Sequence, residues 1–372
     1  MERQEPATLR ITSPAEAAQL IPYLVGFTPE ESLVISAIQR GRVEVTARVD
    51  LAGVQAFGAV EDLLDRIWDR FPDADGFAVA YTDDHQAGWN LLQRCDGWLP
   101  NGCQRMLIDA DTWHTPNGAT GTIDNYGTIS AQATYHGLPR LDRRADLEAR
   151  FAGPPDSDQF DHQLGAALAE LPAPNDTAKI LTATGDLIAH NLPPAAKSGP
   201  DPHVKTAASL TQTDAIRLSV LAQHPAARDL ALLSVDRDNS SQHLALWQGV
   251  IRASPAYGAD MPLYLAGMAA WVSGDGASAT IALERALQTN PQPGAAHPVR
   301  LLEGLIDQVV PPTAWPSIRD TVLADADPAV RDAIVTNPVR ATHRRWAPIA
   351  SPLGSRGPEQ ETHRPPTPGI AI

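Results

Sequence analysis

Residues 32–50, SLVISAIQRGRVEVTARVD, hold two strands and the turn between them, and their reading decides the fold. Ser32–Ile38 is an apolar run of strand length. Arg40-Gly41 turns the chain, and residues then alternate to Asp50. Val43, Val45, Ala47 and Val49 are expected to face one way, and Glu44, Thr46, Arg48 and Asp50 the other. The two runs predict a β-hairpin.

Upstream, Ser13-Pro14-Ala15-Glu16 carries the chemistry of a helix start: a hydroxyl cap, a proline at the first position and an acid to complete a capping box. Leu20, Ile21, Leu24 and Val25 give that helix an apolar side, Pro22 is expected to kink or shorten it, and Gly26 supplies a stop. Downstream, Val54, Phe57, Val60, Leu64, Ile67 or Trp68, and Phe71 recur at helical spacing. Phe77–Tyr81 reads as a strand, 86–95 as a helix and Arg105–Ile108 as another strand. Such an order implies at least one parallel crossover. The N-terminal domain, residues 10–152, is therefore α+β or α/β, a β-hairpin joined to a βαβ-type mixed sheet. Residues 114–128 read as a Gly- and Thr-rich loop, and helices near 129–135 and 143–151 close the domain.

No convincing strand follows. Helical patterns occupy 159–171, 177–190, 205–223, 226–235, 240–253, 261–273, 277–289, 298–309 and 316–324, interrupted by the Pro-rich stretch 191–203. They predict an all-α, repeat-like domain over 156–340. The Pro- and Gly-rich residues 341–372 lack the apolar groups for a core and are expected to be a disordered tail.

The chain of 372 residues has 44 acidic and 29 basic side chains, a net charge of −15. That balance argues against gripping phosphate backbones, so nucleic acid is not an expected partner. The one basic patch with an aromatic is Arg340–Trp346. The first residues contain no apolar signal segment, and the longest uncharged apolar run, 261–273, is too short to span a bilayer. A cytoplasmic protein with no membrane partner is expected. Cys95 and Cys103 read as ordinary reduced thiols.

Residues 263–291, LYLAGMAAWVSGDGASATIALERALQTNP, resemble one tetratricopeptide-type helix hairpin, with Gly267 at the close approach and Gly274-Asp275-Gly276 at the turn. The whole chain resembles the domain of unknown function 4192 family, found widely in actinobacteria. The resemblance is carried by LIPYLVGFTPEESLVI (20–35) with Ala47–Leu51, ISAQATYHGLPRLDRRADLEARF (129–151), PAARDLAL (225–232), and the 270–291 hairpin with PPTAW (311–315). It implies no activity, since the family's biochemistry is unassigned.

Candidate chemistry is sparse. Arg48 and Asp50 lie two apart on one strand and project from the same face. With Glu31 of the Gly26–Glu31 turn they are candidate ligand-binding residues for an anionic or amide-bearing group; an internal ion pair pinning the first helix is the competing reading. Asp109-Ala110-Asp111 could offer two carboxylates to a divalent cation at a strand end, but the same tripeptide recurs at 73–75 and 325–327, so no metal site is assigned. His85, His114, His136, His162, His190 and His203 lack zinc-helix spacing, and the 117–121 glycines lack a following lysine. No cofactor is identified. The leading expectation is a non-enzymatic protein-interaction or regulatory module with a protein partner held by the helical half, where Trp271 and Asp275 are candidate contacts. The alternative is an enzyme or small-molecule sensor with its site on the N-terminal domain.

Overall fold

The computed structural model describes residues 10–11, 13–54, 58–135, 138, 140–154, 158–194, 210–253, 258–290, 294, 297–336 and 370–371. Helix α1 (Pro14–Val25) starts where the sequence places it: the Ser13 hydroxyl accepts the Glu16 N–H at 3.3 Å, and Gly26 ends it in the left-handed conformation at φ 83°. Pro22 neither ends nor shortens it. Strands β1 (Ser32–Gln39) and β2 (Arg42–Asp50) form the expected hairpin. Its two-residue turn puts Arg40 at φ 53° and Gly41 at φ 76°, the twist that right-handed strands favour.

One expectation for β2 is corrected. Ala37 pairs with Val45 but Ile38 pairs with Val43, so a bulge leaves Glu44 as the extra residue. Val43 therefore packs with the α1 side of the sheet, while Val45, Ala47 and Val49 pack on the opposite side.

Helix α2 (Ala59–Arg70), strand β3 (Asp75–Tyr81), helix α3 (His85–Cys95) and strand β4 (Gln104–Asp109) continue the chain. The β3–α3–β4 unit is the parallel crossover, and β1 joins β3 antiparallel. The 114–128 region is not all loop: β5 (Thr112–His114) and β6 (Thr120–Thr122) extend the sheet as a small hairpin, giving the order β2-β1-β3-β4-β5-β6. α2 and α3 cover one face of the sheet. α1 and α4 (Thr128–Tyr135) cover the other.

Cys95, the last residue of α3, and Cys103 lie at 2 % and 8 % exposure, and burial pushes their thiols up to about 11 and about 12. A buried neutral thiol is a poor nucleophile. At pH 8 the native chain is expected to release almost no colour from an aromatic disulfide reagent, and two equivalents once urea unfolds it. Fast release from the native chain overturns this.

Helix α5 (Arg144–Glu148) and the 3-10 turn Ala149–Phe151 lead to the helical half. There follow α6 (Asp158–Ala169), α7 (Thr177–Asn191), α8 (Gln212–Ala222), α9 (Pro225–Leu233) and α10 (Ser240–Ala253). The remaining helices are α11 (Asp260–Ser273), α12 (Gly276–Thr289), α13 (Val299–Asp307), α14 (Trp315–Asp325) and α15 (Pro328–Thr336). α15 lies beyond the helical patterns read from periodicity, but starts where Pro328 repeats the helix-start chemistry of Pro225. Every residue from Met261 to Val272 of α11 is buried, because α8, α9, α10, α12, α13 and the 3-10 turn Pro312–Ala314 all pack against it. Gly267 leaves room for α12 and α13, since a Cβ there would sit 2.4 Å from Leu302 Cδ2 and 3.2 Å from Ala282 Cβ.

One hydrophobic cluster runs from Ile11 and α1 through Leu147 and Phe151 to α10–α13, so the two halves share a core. Ile370–Ala371 pair antiparallel with Arg10–Ile11. The rest of the expected tail, and the Arg340–Trp346 patch, lie outside the described residues.

Candidate functional site at the carboxyl end of the sheet

The parallel strands β3 and β4 end at Tyr81 and Asp109, the edge where α/β sheets usually receive ligands. Because β1 and β2 alternate in direction, the start of β1 and the end of β2 fall on the same edge. Register places Asp50, Ser32, Tyr81, Ile108 and Trp113 in one row on the α1 face.

All three predicted ligand residues stand at this edge. The Arg48 Nη2 donates to Asp50 Oδ1 at 2.5 Å and to the Glu30 carbonyl at 3.3 Å, with its guanidinium 5.4 Å above the Phe27 ring. So the face does meet the Gly26–Glu31 turn, and the internal ion pair exists as well. Glu31 holds a left-handed backbone at φ 38°, uncommon for a side-chain-bearing residue and costly unless its surroundings fix it. Two contacts fix it: Leu51 N–H donates to its carbonyl at 2.8 Å, and the Thr82 hydroxyl donates to its carboxylate at 3.2 Å.

On the α3 face the same edge carries a cluster whose members the sequence analysis treated separately. His85, in the first turn of α3, places Nε2 3.0 Å from Asp109 Oδ2, and the His114 ring meets it edge-on at 4.8 Å. In the tautomer that carries hydrogen on Nε2, His85 donates to the Asp109 carboxylate. Beside the cluster, α3 and the β5–β6 hairpin enclose an open groove of about 570 Å³, lined among others by Trp89, Gln93, Arg105, His114, Thr115 and Thr120. Its Arg105 is braced by Asp96 at 2.9 Å.

The Asp109-Ala110-Asp111 tripeptide is a hairpin turn whose carboxylates serve different partners. Asp109 faces His85, while Asp111 Oδ1 accepts from Asn125 Nδ2 at 3.0 Å. Among the described residues no group of three or more His, Cys, Asp or Glu converges as metal ligands. The 115–119 turn spends its own amides: Gly118 N–H donates to the Thr115 carbonyl and Ala119 N–H to Asn117 Oδ1, so no nest of free N–H groups remains there for a phosphate.

The carboxyl edge also touches the helical half. Arg144 of α5 donates to Glu148 Oε1 at 2.7 Å and pairs with Glu284 of α12. Burial raises the Glu284 carboxyl, the Glu148 and Asp50 charges add to that, and Arg144 opposes it.

Of the predicted partner contacts, Trp271 serves the interior and Asp275, half-exposed in the turn, serves a helix start. Trp271 is buried at 5 % exposure, its indole N–H donates to the Val310 carbonyl at 3.1 Å, and its ring meets Trp315 edge-on. Asp275 caps α12 by accepting the Ser278 N–H at 3.0 Å. Asp275→Ala is expected to cost about 1 kcal/mol in urea melts, the worth of one N-cap. A cost near zero would show that the cap contributes nothing.

The architecture is thus a mixed sheet with a polar carboxyl edge, joined through one core to a helical bundle. A family model described as Domain of unknown function (DUF4192) matches residues 14–313, and the chain belongs to that family. No curated protein and no solved structure matches it.

Proposed function

We propose that this chain is a regulatory protein whose N-terminal half recognises a small polar molecule at the carboxyl edge of the sheet. The observation that carries the reading is the convergence of His85, Asp109 and His114 beside the Trp89–Arg105 groove, at the edge that also holds the strained Glu31. The groove offers a flat indole face, hydroxyls, an amide and a fixed cation, the mixture of apolar wall and few polar anchors typical of small-molecule sites.

The test is a thermal-shift screen against nucleotides, amino acids, sugars and organic acids. A ligand at about 100 times its Kd stabilises the native state by about 2.7 kcal/mol. The hit is expected to weaken about tenfold in His85→Ala and to persist in Asp275→Ala. A flat screen, or a hit indifferent to His85, refutes the reading.

A second reading, a protein-docking module in the cytoplasm, keeps one observation. Tyr126 and Tyr135, 96 % and 73 % exposed, flank a shallow hollow over Thr128, Ala131 and Gln132 of α4. Aromatic pairs of this kind are enriched at protein interfaces. With Trp271 and α11 enclosed, this tyrosine pair supports a partner site on the N-terminal half.

A further inference from the structure

On the α1 face of the carboxyl edge, independent of the groove, several hydrogen-bonding groups are buried without partners. The Ser32 hydroxyl lies at 0 % exposure and the Tyr81 hydroxyl belongs to a residue 5 % exposed, and neither has a hydrogen-bond partner. Register makes Ser32 and Tyr81 direct cross-strand neighbours on this face. Two residues along β2 from Asp50, the cross-strand partner of Ser32, one edge of Arg48 serves Asp50 and Glu30, while its buried Nε–H is unpaired. A second guanidinium, Arg140, acts electrostatically on the Tyr81 phenol. Its Nε donates to Thr28 Oγ1 at 3.4 Å and its Nη1 to Asn125 Oδ1 at 3.0 Å, so it is fixed in place.

A buried unpaired polar group costs about 1–3 kcal/mol, more if charged, and native chains rarely carry several together. The donor inventory indicates what would satisfy these. An arginine Nε–H can only donate, and two hydroxyls can turn their hydrogens toward a common acceptor. Arg48 and Arg140 balance Asp50 and Glu31 at this edge, so the unmet need is for an acceptor and not for net charge. From these donors we infer that Arg48, Ser32 and Tyr81 form a binding site for a small carboxylate group, with Arg140 supplying field and not contacts. Charge-assisted hydrogen bonds to a carboxylate are roughly twice as strong as neutral ones, which offsets the burial of these donors. Burial raises the Tyr81 phenol far above its ordinary range, so it stays a donor at any working pH.

The experiment titrates the full chain with sodium acetate and sodium formate at ionic strength held constant with sodium chloride, and reads Tm. Methyl acetate serves as the uncharged control. Acetate and formate are expected to raise Tm saturably and methyl acetate not at all. Tyr81→Phe and Ser32→Ala each remove one hydroxyl while keeping the fold, and each is expected to weaken acetate about tenfold. Their unliganded Tm is expected to match or exceed that of the parent, because each deletes an unpaired group. His85→Ala, on the opposite face, is expected to leave acetate binding intact, so failure of this site and failure of the groove are separate results. An acetate effect no larger than that of chloride overturns the inference. So does one undiminished in both hydroxyl variants. A drop in unliganded Tm for Tyr81→Phe also overturns it, since the hydroxyl would then hold an ordered water and not await an anion.

Discussion

Replacing Gly76 with alanine is expected to remove about 3 kcal/mol or more of stability, enough to unfold the N-terminal sheet in many marginal domains. Gly76 is the second residue of β3, opposite Ala37. A Cβ there would stand 1.8 Å from the Ser36 carbonyl oxygen and 2.9 Å from its carbon. Both belong to backbone of β1, which is itself held by β2 on its far side. A flexible side chain could swing away, but a strand paired on both edges cannot, so relief requires prising β1 from β3. Gly97→Ala is the control, because nothing lies within 4 Å of a Cβ at that position. Urea melts of the two variants should differ by nearly the whole effect, and a Gly76→Ala chain as stable as its parent would show that the β1–β3 pairing is looser than described.

The second large effect is acid lability through His243. This side chain is wholly buried on α10, and neither ring nitrogen has a hydrogen-bond partner. Burial alone pushes its pKa down from 6.5 to about 4. Above pH 6.5 the ring is neutral whether the chain is folded or not. Between 6.5 and about 4 the unfolded chain takes a proton that the folded chain refuses, so stability falls as pH falls. Below about 4 the folded ring protonates too and the loss levels off. A shift of that size corresponds to about 3 kcal/mol across the window. Comparing urea melts at pH 7.5 and 4.5, the parent should lose about 2–3 kcal/mol more than His243→Leu, whose residual slope belongs to other groups. Equal slopes in the two chains would place a hydrogen-bond partner or water on His243.

How much of this was legible in the sequence depended on periodicity. SLVISAI, FAVAY and RMLI announced strands because apolar runs of that length between turn residues have few other uses, and the helical half announced its helices through recurring apolar faces. The short strands Thr112–His114 and Thr120–Thr122 carry no alternation, since an edge hairpin three residues long buries little. The Glu44 bulge was invisible because RVEVTARVD alternates perfectly on paper; only pairing with β1 reveals that Val43 has changed sides. His85 and Asp109 are 24 residues apart, and only the crossover joins them. A signal did exist: each lies at or just after the end of a strand that the sequence predicts, where a parallel pair presents its edge. For Trp271 the signal was misread. A run from Met261 to Val272 with no charge and no polar face describes a helix enclosed on all sides, not one lining a groove.

That enclosure sets a limit on how the helical half can change. Repeat arrays lengthen by duplication because each unit touches only its neighbours and the ends stay open. α11 has no open end: five helices and a 3-10 turn already occupy its circumference. A duplicated hairpin inserted beside it would have no uncovered seam to join, and deleting a neighbour would strip an axle of twelve buried residues. The described helices surround α11 like a wheel around its hub, so substitutions along the hub are expected to cost more stability than substitutions on the rim.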